Sequence, residues 1–108
     1  MFILKGILRA ESQEKILIYL LLKGKGYGKS IADFFGVALN PIQKQLARME
    51  TDGVVVSQLI GNVRVFELNP RYPFIEPLKT LIKSATKSYP VEMINELVVG
   101  RNRPPVSG

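Results

Sequence analysis

The sequence contains no cysteine and no histidine. Without cysteine there can be no disulfide bond, thiolate zinc site, iron–sulfur cluster or cysteine nucleophile. Without histidine the chain lacks the usual general base near neutral pH and the commonest metal ligand, so a Ser-His-Asp triad cannot form within it. We therefore expect a protein that is not an enzyme and that needs no metal and no cofactor.

Long hydrophobic runs are also missing. Lys5 interrupts the apolar segment Met1–Leu8, and the run Ile16–Leu22 is only seven residues long. A helix that spans a membrane needs about 20 apolar residues, and no small-residue cleavage site follows either segment. The sequence thus predicts no membrane span and no signal peptide, which favours a cytoplasmic protein.

Charge is the most informative part of the composition. The 108 residues, 46% of them hydrophobic, fit one ordinary globular domain. Lys and Arg number 15 and Asp and Glu number 9, which gives a net charge of +6. A small domain this basic favours an anionic partner such as nucleic acid or an acidic membrane surface, although the charge could also serve solubility alone.

Two helices are predicted in the first part of the chain, after an amphipathic lead-in helix or arm over residues 1–10. The first helix is Ser12–Lys23, with Ser12 as its cap. The second is Ser30–Phe35, where Ser30 and Asp33 have the spacing of a capping box. Glycines end both helices.

A third helix follows a four-residue turn and ends near Asp52. Either Asn40 caps it, or Ala38 occupies the cap position and Pro41 lies in the first turn. Its apolar residues recur at spacings of four and three and define one buried stripe. The stripe consists of Ile42, Leu46 and Met49.

Burial of that stripe turns the opposite face of the third helix outward. The outward residues are Asn40, Gln43, Lys44, Ala47 and Arg48. Lys44 and Arg48 lie one turn apart and can meet one wall of a DNA groove, and the small Ala47 between them permits a close approach. The amides of Gln43 and Asn40 carry the donor and acceptor pair that reads an adenine edge. A solvated helix face without a ligand is the alternative.

The segment before the second helix, GKGYGKS over residues 24–30, superficially resembles a phosphate-binding P-loop. Lys23 stands where that motif requires glycine, and the segment follows a helix instead of a strand, so we expect no nucleotide site. Lys29, Ser30 and the free amides of a helix start suit one phosphate of a DNA backbone. Between Lys15 and Met49 six basic residues stand against one acidic residue, a net charge of +5.

An alternating pattern follows the third helix and predicts a hairpin of Val54–Ile60 and Val63–Leu68. Gly61 and Asn62 suit a two-residue type II′ turn, which pairs Ile60 with Val63 and Gln58 with Val65. Phe66 and Leu68 can then enter the core near the base of the hairpin. Near its tip, Asn62 and Arg64 are free to contact DNA.

The C-terminal part predicts a helix with one apolar stripe, a weaker helix over Val91–Val98 and a disordered tail over residues 100–108. The stripe consists of Phe74, Ile75, Leu78, Leu81 and Ile82. It could complete the core, but so small a domain has little room for five large apolar side chains, and we expect a dimer interface. The predicted organisation is a DNA-binding domain over residues 1–70, a helical dimerisation extension over 71–99 and the tail.

This order of elements is typical of a winged helix-turn-helix, a mainly α fold with a β-hairpin, of the α+β class. Residues 7–72 resemble the winged-helix domains of ArsR/MarR-type transcriptional regulators, in particular the small domain that occurs alone or beside a minimal nucleotidyltransferase in prokaryotes. The resemblance rests on EKILIYLLLKGKGYGKSIADFFGV, NPIQKQLARMETDGVV and RVFELNP. It implies operator binding as a dimer, with the third helix in the major groove.

The chain departs from the family pattern at two places. Ala38 and Leu39 stand where the family often has a capping serine and a proline, and the hairpin carries one arginine and no lysine. We expect a homodimeric regulator of transcription that binds double-stranded DNA. The alternative is a protein-interaction module that partners a separately encoded effector. RNA binding is disfavoured because the sequence shows no aromatic stacking platform.

Overall fold

The computed structural model describes residues 1–102, and over this range the fold is mixed α and β. Five helices and one two-stranded antiparallel sheet follow one another along these residues. Their bounds are α1 Glu11–Lys23, α2 Gly28–Phe35, α3 Leu39–Thr51, β1 Val55–Ile60, β2 Val63–Leu68, α4 Ile75–Thr86 and α5 Val91–Asn102.

Helix α1 is the centre of the fold, because α3, α4 and α5 all pack against it. Its middle residues 16–20 are therefore all buried, including Ile18, which would face solvent on a helix with one apolar side. The helix begins one residue before the predicted start. Ala10 occupies the cap position without a side-chain hydrogen bond, so the prediction of a Ser12 cap is wrong.

Helix α2 begins two residues before its predicted start, so Ser30 is the third residue of the helix and not its cap. The Ser30 hydroxyl donates to the Tyr27 carbonyl at 2.8 Å and accepts from the Tyr27 amide at 3.0 Å. Asp33 does not complete the predicted capping box, because it pairs with Lys29. Gly36 ends the helix in the left-handed conformation, with φ 65°.

Helix α3 has Ala38 at its cap position and Pro41 in its first turn, which confirms the second of the two predicted starts. Its predicted stripe is buried: Ile42, Leu46 and Met49 are 0%, 2% and 5% exposed. These side chains pack toward α1 and α2, so the opposite face of α3 points outward.

The hairpin has the predicted register, with Ile60 opposite Val63 and Gln58 opposite Val65. Gly61 has φ 62° and Asn62 does not have a positive φ, which is the sign pattern of a type II′ turn. Phe66 is buried at the base, as predicted. Two hydrogen bonds join Phe66 to Gly26, with N···O distances of 3.0 and 2.7 Å.

The apolar stripe of α4 mostly completes the core of the chain itself. Ile82 is 1% exposed and belongs to the hydrophobic core, and Leu78 and Leu81 are partly buried against that core; Ile75 is 6% exposed. Among the five residues predicted for a dimer interface, Phe74 alone is exposed, at 63%, and it precedes the helix. The prediction is therefore wrong for Ile75 and Ile82, because both are buried within the single chain and Ile82 belongs to its hydrophobic core.

Residues on both sides of the predicted boundary at residue 70 contribute to one hydrophobic core. Helix α5 extends to Asn102, so a disordered tail from residue 100 is wrong for residues 100–102; the rest of that prediction lies outside the described residues. Residues 1–10 form turns and an isolated bridge and not the lead-in helix that was one of two expectations. No helix within residues 1–102 is long and apolar enough to cross a membrane.

A buried carboxylate ties the N-terminal segment and the α4–α5 connection to α1. Glu14 is 0% exposed and accepts hydrogen bonds from the Ile3 amide at 2.9 Å, from the Leu4 amide at 2.5 Å and from the Tyr89 hydroxyl. Burial, together with the hydrogen bond to Glu14, raises the pKa of Tyr89 above its ordinary value. Glu14 thus holds the N-terminal segment and the α4–α5 connection in place.

Candidate nucleic-acid interface

The outward face of α3 is the centre of the candidate interface. Asn40, Gln43, Lys44, Ala47 and Arg48 are all exposed, as the sequence predicted. Lys44 and Arg48 form no ion pair with any of residues 1–102. Their charges are therefore free to act on an anionic ligand.

A groove of about 550 Å³ runs along one side of this face, between the start of α2, helix α3 and the hairpin. It brings together four of the eight predicted DNA-contacting residues, which lie far apart in the sequence. These four are Lys29, Gln43, Asn62 and Arg64. The groove is narrow at the α2 end, because a Cβ on Gly28 would lie 3.2 Å from Cγ of Gln43.

A second hollow, of about 400 Å³, lies on the other side of Ala47. Arg48 and Arg9 line it together with Ala47, Thr51 and the acidic residue Asp52, which follows the end of α3. Sequence reasoning missed Arg9, because only the folded chain brings the N-terminal segment next to α3. Its exposed guanidinium adds a cation beside Arg48.

The predicted phosphate anchor at the start of α2 is partly neutralised. The Lys29 ammonium lies 2.9 Å from the Asp33 carboxylate, and both side chains are exposed. The hydrogen bond from Lys29 to Asp33 and the charge of Asp33 raise the pKa of Lys29. The Ser30 hydroxyl is engaged with Tyr27 in both directions. This region therefore offers less free charge and fewer free polar groups than the sequence suggested.

The hairpin arginine is also engaged within the protein. The Arg64 guanidinium donates to the Ser57 hydroxyl at 2.9 Å, and the same hydroxyl donates to the Glu50 carboxylate. Glu50 lies in the groove on the same side of α3 as Gln43 and Ala47. It was missed because the sequence tally of charge ended at Met49. The groove wall thus carries one carboxylate among its cations.

Comparisons of the chain with protein-family models, with curated proteins and with solved structures found no match. Among residues 1–102, no group of three or more carboxylates is close enough together to hold a metal ion. The chemistry that the described surface offers is therefore that of free cations, amides and the carboxylates of Asp33, Glu50 and Asp52 around an exposed helix.

Proposed function

We propose that the chain is a winged helix-turn-helix protein that binds double-stranded DNA as a homodimer and regulates transcription in the cytoplasm. One observation carries the proposal: α3 buries an apolar stripe and presents Lys44 and Arg48, without acidic partners among the described residues, on its exposed side. An α-helix fits the major groove, which is about 12 Å wide. The proposal gives the chain no catalytic role.

In the proposed complex, Lys44 and Arg48 contact phosphates and Asn40 and Gln43 read base edges. Ala47 lets the helix backbone approach the bases closely. Asn62 at the hairpin tip reaches the neighbouring sugar–phosphate backbone, whereas Arg64 acts mainly through its hydrogen bond to Ser57. In a two-fold dimer the two α3 helices would bind half-sites about 34 Å apart.

The test begins with selection of duplexes from a random pool, followed by binding measurements over a range of salt concentrations. The double variant Lys44→Ala, Arg48→Ala removes two phosphate contacts from each chain and four from the dimer, so the steepness of log K against log salt should fall by about 3.6. The double variant Lys83→Ala, Lys87→Ala is the matched control. It removes the same charge from exposed positions at and just after the last turn of α4 and should leave the slope unchanged.

A charge change of opposite sign on the same helix sharpens the test. Glu50→Gln removes the one carboxylate of the groove and keeps an oxygen that can accept from Ser57. Affinity for duplex DNA should rise, because a repulsive charge near the phosphates is lost. Normal binding by the α3 double variant, or equal losses in both double variants, would contradict the assignment of α3.

A second candidate function, a protein-interaction module, is favoured by the hairpin tip. Leu59 and Ile60 are 59% and 54% exposed, whereas hairpins that contact DNA backbones need cations there. Isolation of one stoichiometric protein partner, unaffected by nuclease treatment, would favour this candidate. A steep dependence of DNA binding on salt would favour the first.

A further inference from the structure

The outer edge of strand β1 is unpaired in the folded chain. Phe66 on β2 directs both its N–H and its C=O at Gly26, away from β1. Phe66 and its cross-strand neighbour Ser57 therefore form a non-hydrogen-bonded pair. In such a pair of an antiparallel ladder, the N–H and C=O of Ser57 point away from β2. The same holds for Val55 and Leu59, two residues to either side.

No backbone group within residues 1–102 bonds to this edge at Ser57 or Leu59. An exposed row of unpaired N–H and C=O groups is a template for another strand, and proteins usually protect such edges with proline, charge or a bulge. Strand β1 has none of these, since its sequence is VVSQLI and its pairing with β2 is regular. Gly26 covers the other edge of the sheet only at Phe66.

Charge selects the occupant of this edge. Residues 53–63 form the longest uncharged run of the sequence, eleven residues in a chain with a net charge of +6. Two copies that approach elsewhere bring like charges together, whereas at this edge they do not. The charged side chains that reach Ser57, those of Arg64 and Glu50, have opposite signs and are both hydrogen-bonded to its hydroxyl, so Arg64 is not a free cation for a phosphate backbone. A second copy of the same chain is therefore the partner that the edge fits.

We infer that β1 pairs antiparallel with β1 of a second copy about a two-fold axis at Gln58, which gives a four-stranded sheet. In this register, Ser57 of each copy exchanges hydrogen bonds with Leu59 of the other through the outward groups. On the outer face Gln58 lies opposite its own copy, and Val56 lies opposite Ile60. Val56 and Ile60 are 36% and 54% exposed in the single chain and become covered.

The two-fold axis of such a pair is perpendicular to the sheet, so the inner faces of the two hairpins lie on the same side of it. Both α3 helices then lie on the same side of the four-stranded sheet. The inference rests on the proposed function, because it assigns the interface of the homodimer proposed there; a dimer that forms without β1, measured in the absence of DNA, would overturn the inference and leave the proposed function standing.

The absence of cysteine makes cross-linking an unambiguous test, because a single introduced thiol can form a disulfide only with the same thiol of a second chain. Gln58→Cys places two thiols in directly opposed, non-hydrogen-bonded positions, and we expect a covalent dimer under mild oxidation. Glu67→Cys is the matched control, since Glu67 lies on the same outer face but on β2, away from the axis. It should form no covalent dimer under the same oxidation.

Leu59→Pro removes the outward N–H without touching the bonds between β1 and β2, and Leu59→Val keeps that N–H. Symmetry doubles the loss, so sedimentation should show dimerisation about thirty-fold weaker for the proline variant and little changed for the valine variant. Circular dichroism confirms that each variant is folded. A monomeric wild-type chain, cross-linking that is equal at positions 58 and 67, or a dimer indifferent to Leu59→Pro would overturn the inference.

Discussion

Replacing Tyr89 with phenylalanine removes the hydroxyl that donates a hydrogen bond to Glu14. Glu14 is the most buried charged residue among residues 1–102. Tyr89 is 6% exposed and Glu14 is 0% exposed, so water cannot replace the lost donor. Two backbone amides, of Ile3 and Leu4, remain on the carboxylate. The variant therefore measures what the third hydrogen bond contributes.

A hydrogen bond to a charged group contributes about 1.5–3 kcal/mol, so we expect Tyr89→Phe to lower the free energy of unfolding by about 2 kcal/mol. For a chain of this size that is a fall in Tm of about 10 °C. The measurement is urea and thermal unfolding followed by circular dichroism. Tyr72→Phe is the matched control, because the Tyr72 hydroxyl has no hydrogen-bond partner among residues 1–102 and its ring packs on Phe74 at 5.9 Å.

The difference between wild type and Tyr89→Phe should also depend on pH. The pKa of Tyr89 is raised in the folded chain, first by burial and then by its hydrogen bond to Glu14. A raised pKa contributes stability below the pKa of the unfolded chain, near 10.0, and that contribution is lost as the pH rises above it. Equal stability of wild type and Tyr89→Phe at neutral pH would refute the reasoning, as would a difference that grows above pH 10.

Two further predictions concern packing. Gly26→Ala should destabilise the fold by about 1–3 kcal/mol, because the new Cβ would lie 2.5 Å from Cε1 of Tyr19 while two hydrogen bonds hold Gly26 against Phe66; unchanged urea unfolding would show that Tyr19 can move aside. Ile82→Ala should cost about 2–5 kcal/mol of unfolding free energy, whereas Phe74→Ala should stay within about 0.5 kcal/mol. The reverse order would return the α4 stripe to an interface between chains.

The hairpin and the buried stripe of α3 could be predicted because local chemistry determines both. A two-residue turn at Gly61 and Asn62 fixes the register of its strands, and the predicted pairs are those observed. The spacing of Ile42, Leu46 and Met49 places them on one side of any helix. Neither prediction depends on the structure of the rest of the chain.

The network around Glu14 could not be predicted, because its partners are remote in sequence. Tyr89 lies 75 residues from Glu14, and the acidic residue has the ordinary signature of a favourable first-turn position. The same reason accounts for Arg9, which the folded chain brings next to the C-terminal half of α3. A local sequence pattern identifies a charged side chain but not the groups that bind to it in the folded chain.

The stripe of α4 shows a different limit. An amphipathic pattern indicates that one face of a helix becomes covered, but not by which surface. The covering surface is α1, whose middle residues are apolar on every side and need several neighbouring helices. The expectation that so small a domain has little room for the stripe therefore assigned Ile75 and Ile82 to an interface, although both are buried in the single chain.

The bond network of the hairpin links the two proposals physically. Ser57 receives a hydrogen bond from Arg64 and donates one to Glu50, so it connects both strands to the C-terminal half of α3. Glu50 is only two residues beyond Arg48, and Ser57 is at the centre of the unpaired edge. A second copy bound to that edge would therefore be held at a fixed angle to the cationic face of α3. Ser57→Ala removes this linkage, and we expect it to leave the β1 edge and the cationic face of α3 intact while loosening their relative orientation. DNA binding should then weaken only if it requires two chains at once.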